Sequence, residues 1–501
     1  MIRPIRKRQV MKRIMLLLIA LSAIWLVNQS AQQSTLQGQI PADRAIHAVE
    51  NDLVPTIVIT NRTVEPLSLS ALMERHRIPA VSIAVIDGGR IAWARAFGIA
   101  DSASNRLATT ETLFQAASIS KPVAALAALR LVEMGFLNLD SNVNNYLQTW
   151  HLPENEFTEN HPVTLRHLLT HTGGLTVHGF PGYERSADQP TLVQVLDGSG
   201  PANTIAIRAD TIPGELWRYS GGGYTVMQQM LIDITGRSFP EIMRELVLEP
   251  AGMTESTYEQ PLPPARYGQA ATAYTTSGEP VTEDWHVYPE MAAAGLWTTP
   301  TDLARLAIVI QRTLDGESDP ILSQAMAEAM LEKGLGDWGL GFRIRGQEGS
   351  LSFDHGGSNA GFQSAFFALA RTGQGAAVMT NSDTGGEILG TVLRTLATIY
   401  EWPTEAFPLR KVEAADVRRS TLRRLAGTYS YFADMNEITF THEGTRLFVD
   451  YVGRWQAEVF PLSETAWVVP VDGTRFDFEM ESSGPAASVT VNGRIRAERK
   501  R

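Results

Sequence analysis

The chain has 501 residues, of which 44% are hydrophobic and 19% charged, enough for folded cores and for two domains. A formal net charge of -11 argues against a nucleic-acid surface, which needs clustered positive charge. With no Cys, disulfides, thiol catalysis and Cys-based zinc sites are excluded, while the compartment stays open.

The N-terminus differs from the rest. Arg3, Arg6, Lys7, Arg8, Lys12 and Arg13 precede an apolar run over residues 14–27. That order predicts a secretion signal or a single membrane anchor within residues 1–31. The run is shorter than the ~20 residues of a comfortable span. The expectation is therefore an exported protein, periplasmic or extracellular, that meets a membrane only through this segment. Residues 32–66 are polar and aperiodic and read as a linker.

Residues 67–405 carry the patterns of a catalytic body. Helical spacing over 67–77 is followed by strands at 80–87 and 89–98, joined by a hairpin turn at Gly88 and Gly89. A long Ala/Leu-rich helix runs over 118–135, with Gly135 as its C-terminal stop. Helices are predicted at 164–171, 224–236, 239–248 and 301–312, then strands at 338–345, 361–370 and 375–380. A helix at 387–402 closes the body. Strands, then helices, then strands, then a helix predict an α/β fold: an antiparallel sheet flanked by helices, with an inserted helical subdomain. Residues 406–419 read as a charged linker. Beyond it, over 420–501, the period changes to two, with strands at 437–441, 446–450, 466–471, 475–479 and 488–491. Turn signals at Gly444, Gly453, Gly473 and Gly493 separate them, predicting a small β-barrel or meander.

The chemistry-bearing residues begin at Ser118-Ile119-Ser120-Lys121, where the long helix starts. Residues three apart on a helix share a face, so Lys121 can stand beside the Ser118 hydroxyl and accept its proton. The helix N-terminus adds free N–H groups suited to a developing oxyanion. This is the only Ser-x-x-Lys in the chain, and Lys121 and Lys333 are the only lysines between Val27 and Glu401. An N-cap Ser beside a solvated Lys is the bland alternative. The second element is Tyr219-Ser220-Gly221 in the run WRYSGGGY; a Tyr hydroxyl can relay a proton to a leaving group, or it can simply open a helix. The third is His355-Gly356-Gly357-Ser358, where glycines let a strand edge approach a substrate, or form an ordinary turn. His167 and His171, four apart, could clamp a metal, but no Glu completes a zincin pattern, so a structural or loop-positioning role is expected. No Gly-x-Ser-x-Gly elbow or phosphate loop is present, and no cofactor or metal is expected.

Together, and in this order, the three elements resemble the serine β-lactamase and penicillin-binding-protein superfamily, most closely its class C branch with its esterases and D-stereospecific peptidases. LLTHTGGL from Leu168, the run from Pro213 and AAAGLWTTPTDLARL from Ala292 add to the likeness, which covers about 67–402. The resemblance implies Ser118 as nucleophile, Lys121 as its proton partner and Tyr219 as the group that protonates the leaving group. It implies an oxyanion hole from the backbone N–H groups of Ser118 and Ser358, and substrate contacts from Gly221, His355, Gly356 and Gly357. His355 stands where the β-lactamases have the Lys of Lys-Thr-Gly, and Gly221 where they usually have Asn. A neutral His offers little to a substrate carboxylate, so esters are expected ahead of β-lactams. The resulting expectation is a serine hydrolase working through an acyl-enzyme on small-molecule esters, amides or peptides. The alternatives are a β-lactamase, a D-Ala-D-Ala carboxypeptidase or D-aminopeptidase, and, in another class, a catalytically silent receptor for peptidoglycan fragments. Whether Lys121 or Tyr219 is the acylation base stays open, as does oligomeric state.

Overall fold

The structure is a computed structural model that describes residues 40–317, 321–431, 436–451 and 455–500. The apolar run at 14–27, and the signal or anchor read from it, lie outside the described residues. Among the described residues no helix is long and apolar enough to cross a membrane.

A seven-stranded sheet organises the catalytic body. Its strands are β1 (Ala80–Asp87), β2 (Arg90–Asp101), β3 (Arg106–Leu107), β4 (Arg343–Arg345), β5 (Ser352–Asn359), β6 (Phe362–Leu369) and β7 (Gly375–Thr380), in the spatial order β3-β2-β1-β7-β6-β5-β4. All neighbouring pairs are antiparallel. β1 and β2 form the expected hairpin, with Gly88 and Gly89 at φ 60° and 69°, the left-handed values a tight hairpin turn requires. β1 is apolar along nearly its whole length because it is buried on both faces, whereas β2 is mostly half-buried, with only Trp93 and Ala100 fully inside.

Four helices matter for the site: α1 (Ser120–Glu133), α2 (Gly221–Thr235), α3 (Pro300–Leu314) and α4 (Gly386–Ile399). α3 and α4 pack on the sheet. α1 is buried around most of its circumference, from Ser120 through Leu129. Its alanines let neighbouring elements approach closely, and a helix apolar all round belongs in a core. Lys121 is carried into that core by its place in the helix.

The C-terminal region is a closed barrel of eight strands: β8 (Gly427–Tyr431), β9 (Asn436–Glu443), β10 (Arg446–Tyr451), β11 (Trp455–Pro461), β12 (Ala466–Val468), β13 (Arg475–Met480), β14 (Ala486–Val491) and β15 (Ile495–Arg499). Closure is made by Tyr429 and Ser430 of β8 opposite Arg499 and Glu498 of β15. The barrel has its own apolar core, built on residues such as Tyr429, Phe440, Trp467 and Phe476, distinct from the large core of the catalytic body.

Some sequence expectations change. Residues 32–66 hold a helix, Ala42–Asn51, and a short strand, Ile57–Ile59, rather than an aperiodic linker. That strand pairs in parallel with Arg410–Val412, inside the second expected linker, and Ile57, Ile59 and Ala414 pack with Phe460 and Val468 of the barrel. Such three-residue strands carry no readable period, and their partner lies far along the chain. The strand expected over 338–345 is confined to β4, because Gly336 and Gly341 adopt φ of 64° and 114° and break the extended run before it. Of the two readings of the Gly-rich run after His355, strand edge or turn, the strand holds, since β5 reaches Asn359 before the two-residue hairpin into β6.

Candidate active site

The turn that carries Ser118, the expected nucleophile, precedes α1. Ala117 adopts φ 50°, an uncommon value for a residue with a side chain, and Ser118 follows it in a single 3-10 turn. Several partners hold that turn. Ala116 N–H donates to the Leu296 carbonyl at 2.8 Å, and the Ala116 carbonyl accepts from Ser364 Oγ at 2.9 Å. Ser120 Oγ donates to the Ala117 carbonyl at 2.5 Å and accepts from Leu296 N–H at 2.9 Å. Hydrogen bonds on both sides of Ala117 therefore hold the strained turn in place.

Lys121 Nζ lies 3.0 Å from Ser118 Oγ and 2.8 Å from the Ala293 carbonyl oxygen. The side chain is buried, and desolvation pushes its pKa down to about 7. An amine that is half neutral at pH 7 is suited to accept a hydroxyl proton. Pro122 does not keep Lys121 out of the helix, since α1 includes both.

Tyr219 ends the segment that leads into α2. Ser220 caps that helix, its Oγ accepting from Gly223 N–H at 3.0 Å, so α2 starts three residues before the predicted Tyr224. The Lys121 ammonium stands 4.9 Å from the centroid of the Tyr219 ring. Tyr219 Oη is buried with no hydrogen-bond partner among the described residues. Burial raises its pKa above the ordinary phenol value, and the neighbouring Ser118 hydroxyl offsets only part of the rise. Burial thus favours the neutral phenol at Tyr219.

β5 forms the opposite wall. A Cβ at Gly357 would stand well inside contact distance of the Ala116 carbonyl oxygen and Ser364 Oγ, so only glycine lets the strand lie against the turn that carries Ser118. Ser358 pairs with Gln363, whose Nε2 donates to Ser358 Oγ at 2.8 Å. Asn359 and Phe362 close the hairpin, and hydrogen-bonded pairs alternate along an antiparallel ladder. The main chain of Ser358 therefore points away from β6, toward the open edge of β5. His355 Nδ1 donates to the Gly356 carbonyl at 2.6 Å, which leaves Nε2 as a buried acceptor without a partner among the described residues. Burial first, and the Lys121 charge second, push the His355 pKa down to about 3, so the ring is neutral.

These groups line one open cleft, which includes Ser118, Tyr219, His355, Gly356, Gly357 and Ser358. Lys121 lies beneath Ser118. Gly221 does not line the cleft: a Cβ there would meet the Phe180 ring at 2.9 Å, so Phe180 takes the space an Asn side chain would need. His167 and His171 each hold a separate backbone N–H. His167 turns back on its own helix start, its Nδ1 accepting from Thr164 N–H at 3.3 Å, while His171 Nδ1 accepts from Ser220 N–H at 3.1 Å. No metal-ligating cluster occurs among the described residues.

The cleft also contains residues that the sequence reading did not single out: Trp338, Arg343, Gln363 and Ser364. Trp338 packs edge-on to His355 with ring centroids 5.4 Å apart. Arg343 Nε donates to Asp354 at 2.9 Å, and Arg345 Nε donates to the same carboxylate at 2.8 Å. One carboxylate shared by two guanidiniums leaves net positive charge beside the cleft. Nothing in the local sequence marks these groups. They converge because β4, β5 and β6 are neighbours in the sheet.

Comparison with known proteins accords with this architecture. A family model described as Beta-lactamase matches residues 68–397. A penicillin-binding protein of Bacillus subtilis is 24% identical over 433 residues, covering 82% of this chain and 92% of that protein. The esterase EstB of Burkholderia gladioli is 34% identical over 191 residues, covering 37% of this chain and 48% of that protein. In fold, the chain is similar to an octameric penicillin-binding protein homologue from Pyrococcus abyssi, with a TM-score of 0.58 and 22% identity over 86% of this chain and 98% of that one.

Proposed function

The chain belongs to the Beta-lactamase family, a superfamily of serine hydrolases that includes esterases and penicillin-binding proteins, and from that premise we propose that it hydrolyses acyl substrates, esters foremost, through an acyl-enzyme on Ser118. The observation that carries this reading is the 3.0 Å contact between Ser118 Oγ and a buried Lys121 amine with a pKa of about 7. Neutral Lys121 takes the Ser118 proton as Oγ forms a bond to the acyl carbon. The carbonyl oxygen becomes an oxyanion, held by the backbone N–H groups of Ser118 and Ser358. As the tetrahedral intermediate collapses, Tyr219 gives its proton to the leaving oxygen and is refilled from Lys121, so no net charge remains. Water then cleaves the ester on Ser118 by the reverse proton route and releases the acid.

Neutral His355 favours esters, which need no fixed cation in the site. The guanidinium of Arg343 favours a second class, substrates with a carboxylate, such as β-lactams or D-peptides. The basic N-terminus with its apolar run supports export to the periplasm or beyond. The test is a burst assay with p-nitrophenyl butyrate, followed by mass spectrometry of the trapped adduct. A burst of one equivalent, with the acyl group on the Ser118 peptide and lost in Ser118→Ala, is expected. Full activity in Ser118→Ala would sink the reading.

A further inference from the structure

The peptide unit that follows Tyr219 is gripped at both ends by histidines. Its carbonyl, on Tyr219, lies 2.5 Å from His178 Nδ1, and its N–H, on Ser220, lies 3.1 Å from His171 Nδ1. A carbonyl only accepts and an N–H only donates, so the two rings are opposite tautomers. His178 carries its proton on Nδ1, and His171 on Nε2. His171 also lies against the Tyr219 ring, with centroids 4.3 Å apart and planes inclined at 36°. Tyr224 and Trp338 close around His171 at 5.3 Å and 5.0 Å. His171 itself is 1% exposed and sits at φ 58°, held there by the Arg218 N–H, which donates to its carbonyl at 2.8 Å. A histidine in an uncommon backbone conformation, aimed at one peptide N–H and stacked on the preceding side chain, is more than core filling.

We infer that His171 is a positioning residue for Tyr219: through the Ser220 N–H and the ring stack it sets where the Tyr219 hydroxyl points. The inference rests on the proposed role of Tyr219 as proton donor to the leaving group. A protonated His171 would offer Nδ1–H to the Ser220 N–H, donor against donor. Burial, with smaller effects from the Lys121 and His355 charges, keeps the His171 pKa well below its ordinary value, so the acceptor persists. Misplacing a catalytic hydroxyl by about 1 Å can cost on the order of 100-fold. The loss should be confined to reactions that need the proton.

The experiment uses the full chain and two esters of one acid. p-Nitrophenyl butyrate has a leaving group that needs no proton, and ethyl butyrate has one that does. The readout is the ratio of their kcat/KM values. Tyr219→Phe is expected to lower the ethyl ester on the order of 100-fold and the aryl ester far less. His171→Phe keeps a ring but loses the acceptor, and is expected to shift the ratio the same way by at least ~10-fold. His171→Asn places Oδ1 near the position of Nδ1 and tolerates positive φ, so it should recover most of the ratio. His171→Ala is judged by the same ratio, because Phe has to fit among other rings. In a Tyr219→Phe background neither His171 change should shift the ratio further. Equal loss on both esters in His171→Phe and His171→Ala, or a shift that persists in the Tyr219→Phe background, overturns the positioning role alone. A Tyr219→Phe protein with an unchanged ratio overturns the proton-donor reading as well.

Discussion

Lys121 Nζ approaches Ser118 Oγ at 3.0 Å without a carboxylate to stabilise its charge: burial is the sole cause of its shift to about 7. A base tuned by desolvation alone titrates as a single site. The neutral amine is the active form, so kcat/KM for p-nitrophenyl butyrate should rise with pH and reach half its plateau near pH 7. Lys121→Arg, which stays charged, should lose on the order of 100-fold or more, and the limb near pH 7 with it. A near-normal Arg variant would move the base role to Tyr219, against its raised pKa.

Gly357 lies where β5 passes the Ala116 carbonyl, with no room for a methyl group. Gly357→Ala should push the strand off the nucleophile turn and separate the two proposed oxyanion donors. The expected outcome is a kcat at least ~10-fold lower with a melting point reduced by a cost of about 1–3 kcal/mol. Steady-state kinetics and thermal unfolding of the one variant check both.

Arg343 gives the substrate question a handle that His355 does not. p-Nitrophenyl butyrate should be turned over with a higher kcat/KM than nitrocefin, whose carboxylate finds a neutral His355. Arg343→Ala should lower nitrocefin turnover by roughly 10-fold and leave the ester nearly unchanged, since the Arg343 charge is shared with Asp354 and partly solvated. Nitrocefin hydrolysis faster than the ester would reverse the order of the two substrate classes.

A chain ended after Val412 should still fold, with a cooperative thermal transition and ester turnover kept, while its far-UV circular dichroism loses the contribution of the barrel strands. The catalytic body has its own core, and the cut retains the pairing of Ile57–Ile59 with Arg410–Val412. What is lost is the small cluster of Ile57 and Ile59 with Phe460 and Val468, so a modest drop in solubility is expected. Insolubility of the shortened chain beside a well-folded full chain would make the barrel part of the catalytic fold.

Glu290 is fully buried, and the Tyr183 hydroxyl beside it offsets only part of the cost of its charge. Burial raises its pKa to about 7. A folded pKa above the unfolded value means the folded chain holds a proton that the unfolded chain releases between about pH 4.5 and 7. Stability from this group therefore falls as pH rises through that window. Glu290→Gln should melt close to the parent at pH 4.5 and above it at pH 8, by at most about 3 kcal/mol. Equal melting points at both pH values would mean that Glu290 finds a further partner in solution.

Much of the body was legible in local patterns. The β1–β2 hairpin shows in its paired glycines, α1 in its alanines, and β7 falls at residues 375–380 as expected. Ser118 and Lys121 are legible as a pair because a helix brings residues three apart onto one face. Within the barrel, β8, β11 and β15 escaped the reading. Closure of the eight-stranded ring depends on register between β8 and β15, which the alternation within either strand does not encode.

The amino-acid order by itself determined what is local. It set the residue types and the helix that juxtaposes Ser118 with Lys121, along with the glycines that permit β5 to approach. Tertiary structure decided the rest, because electrostatics and contact depend on neighbours distant in the chain. Encasing α1 in the core is what brings the Lys121 pKa down to about 7. Burial likewise keeps Tyr219 a phenol and His355 uncharged. Pairing β4 with β5 brings Arg343 to the cleft, and Phe180 fills the space beside Gly221. The grip of His171 and His178 on one peptide follows from packing the 171–178 segment against the start of α2, a contact that no spacing along the chain could announce.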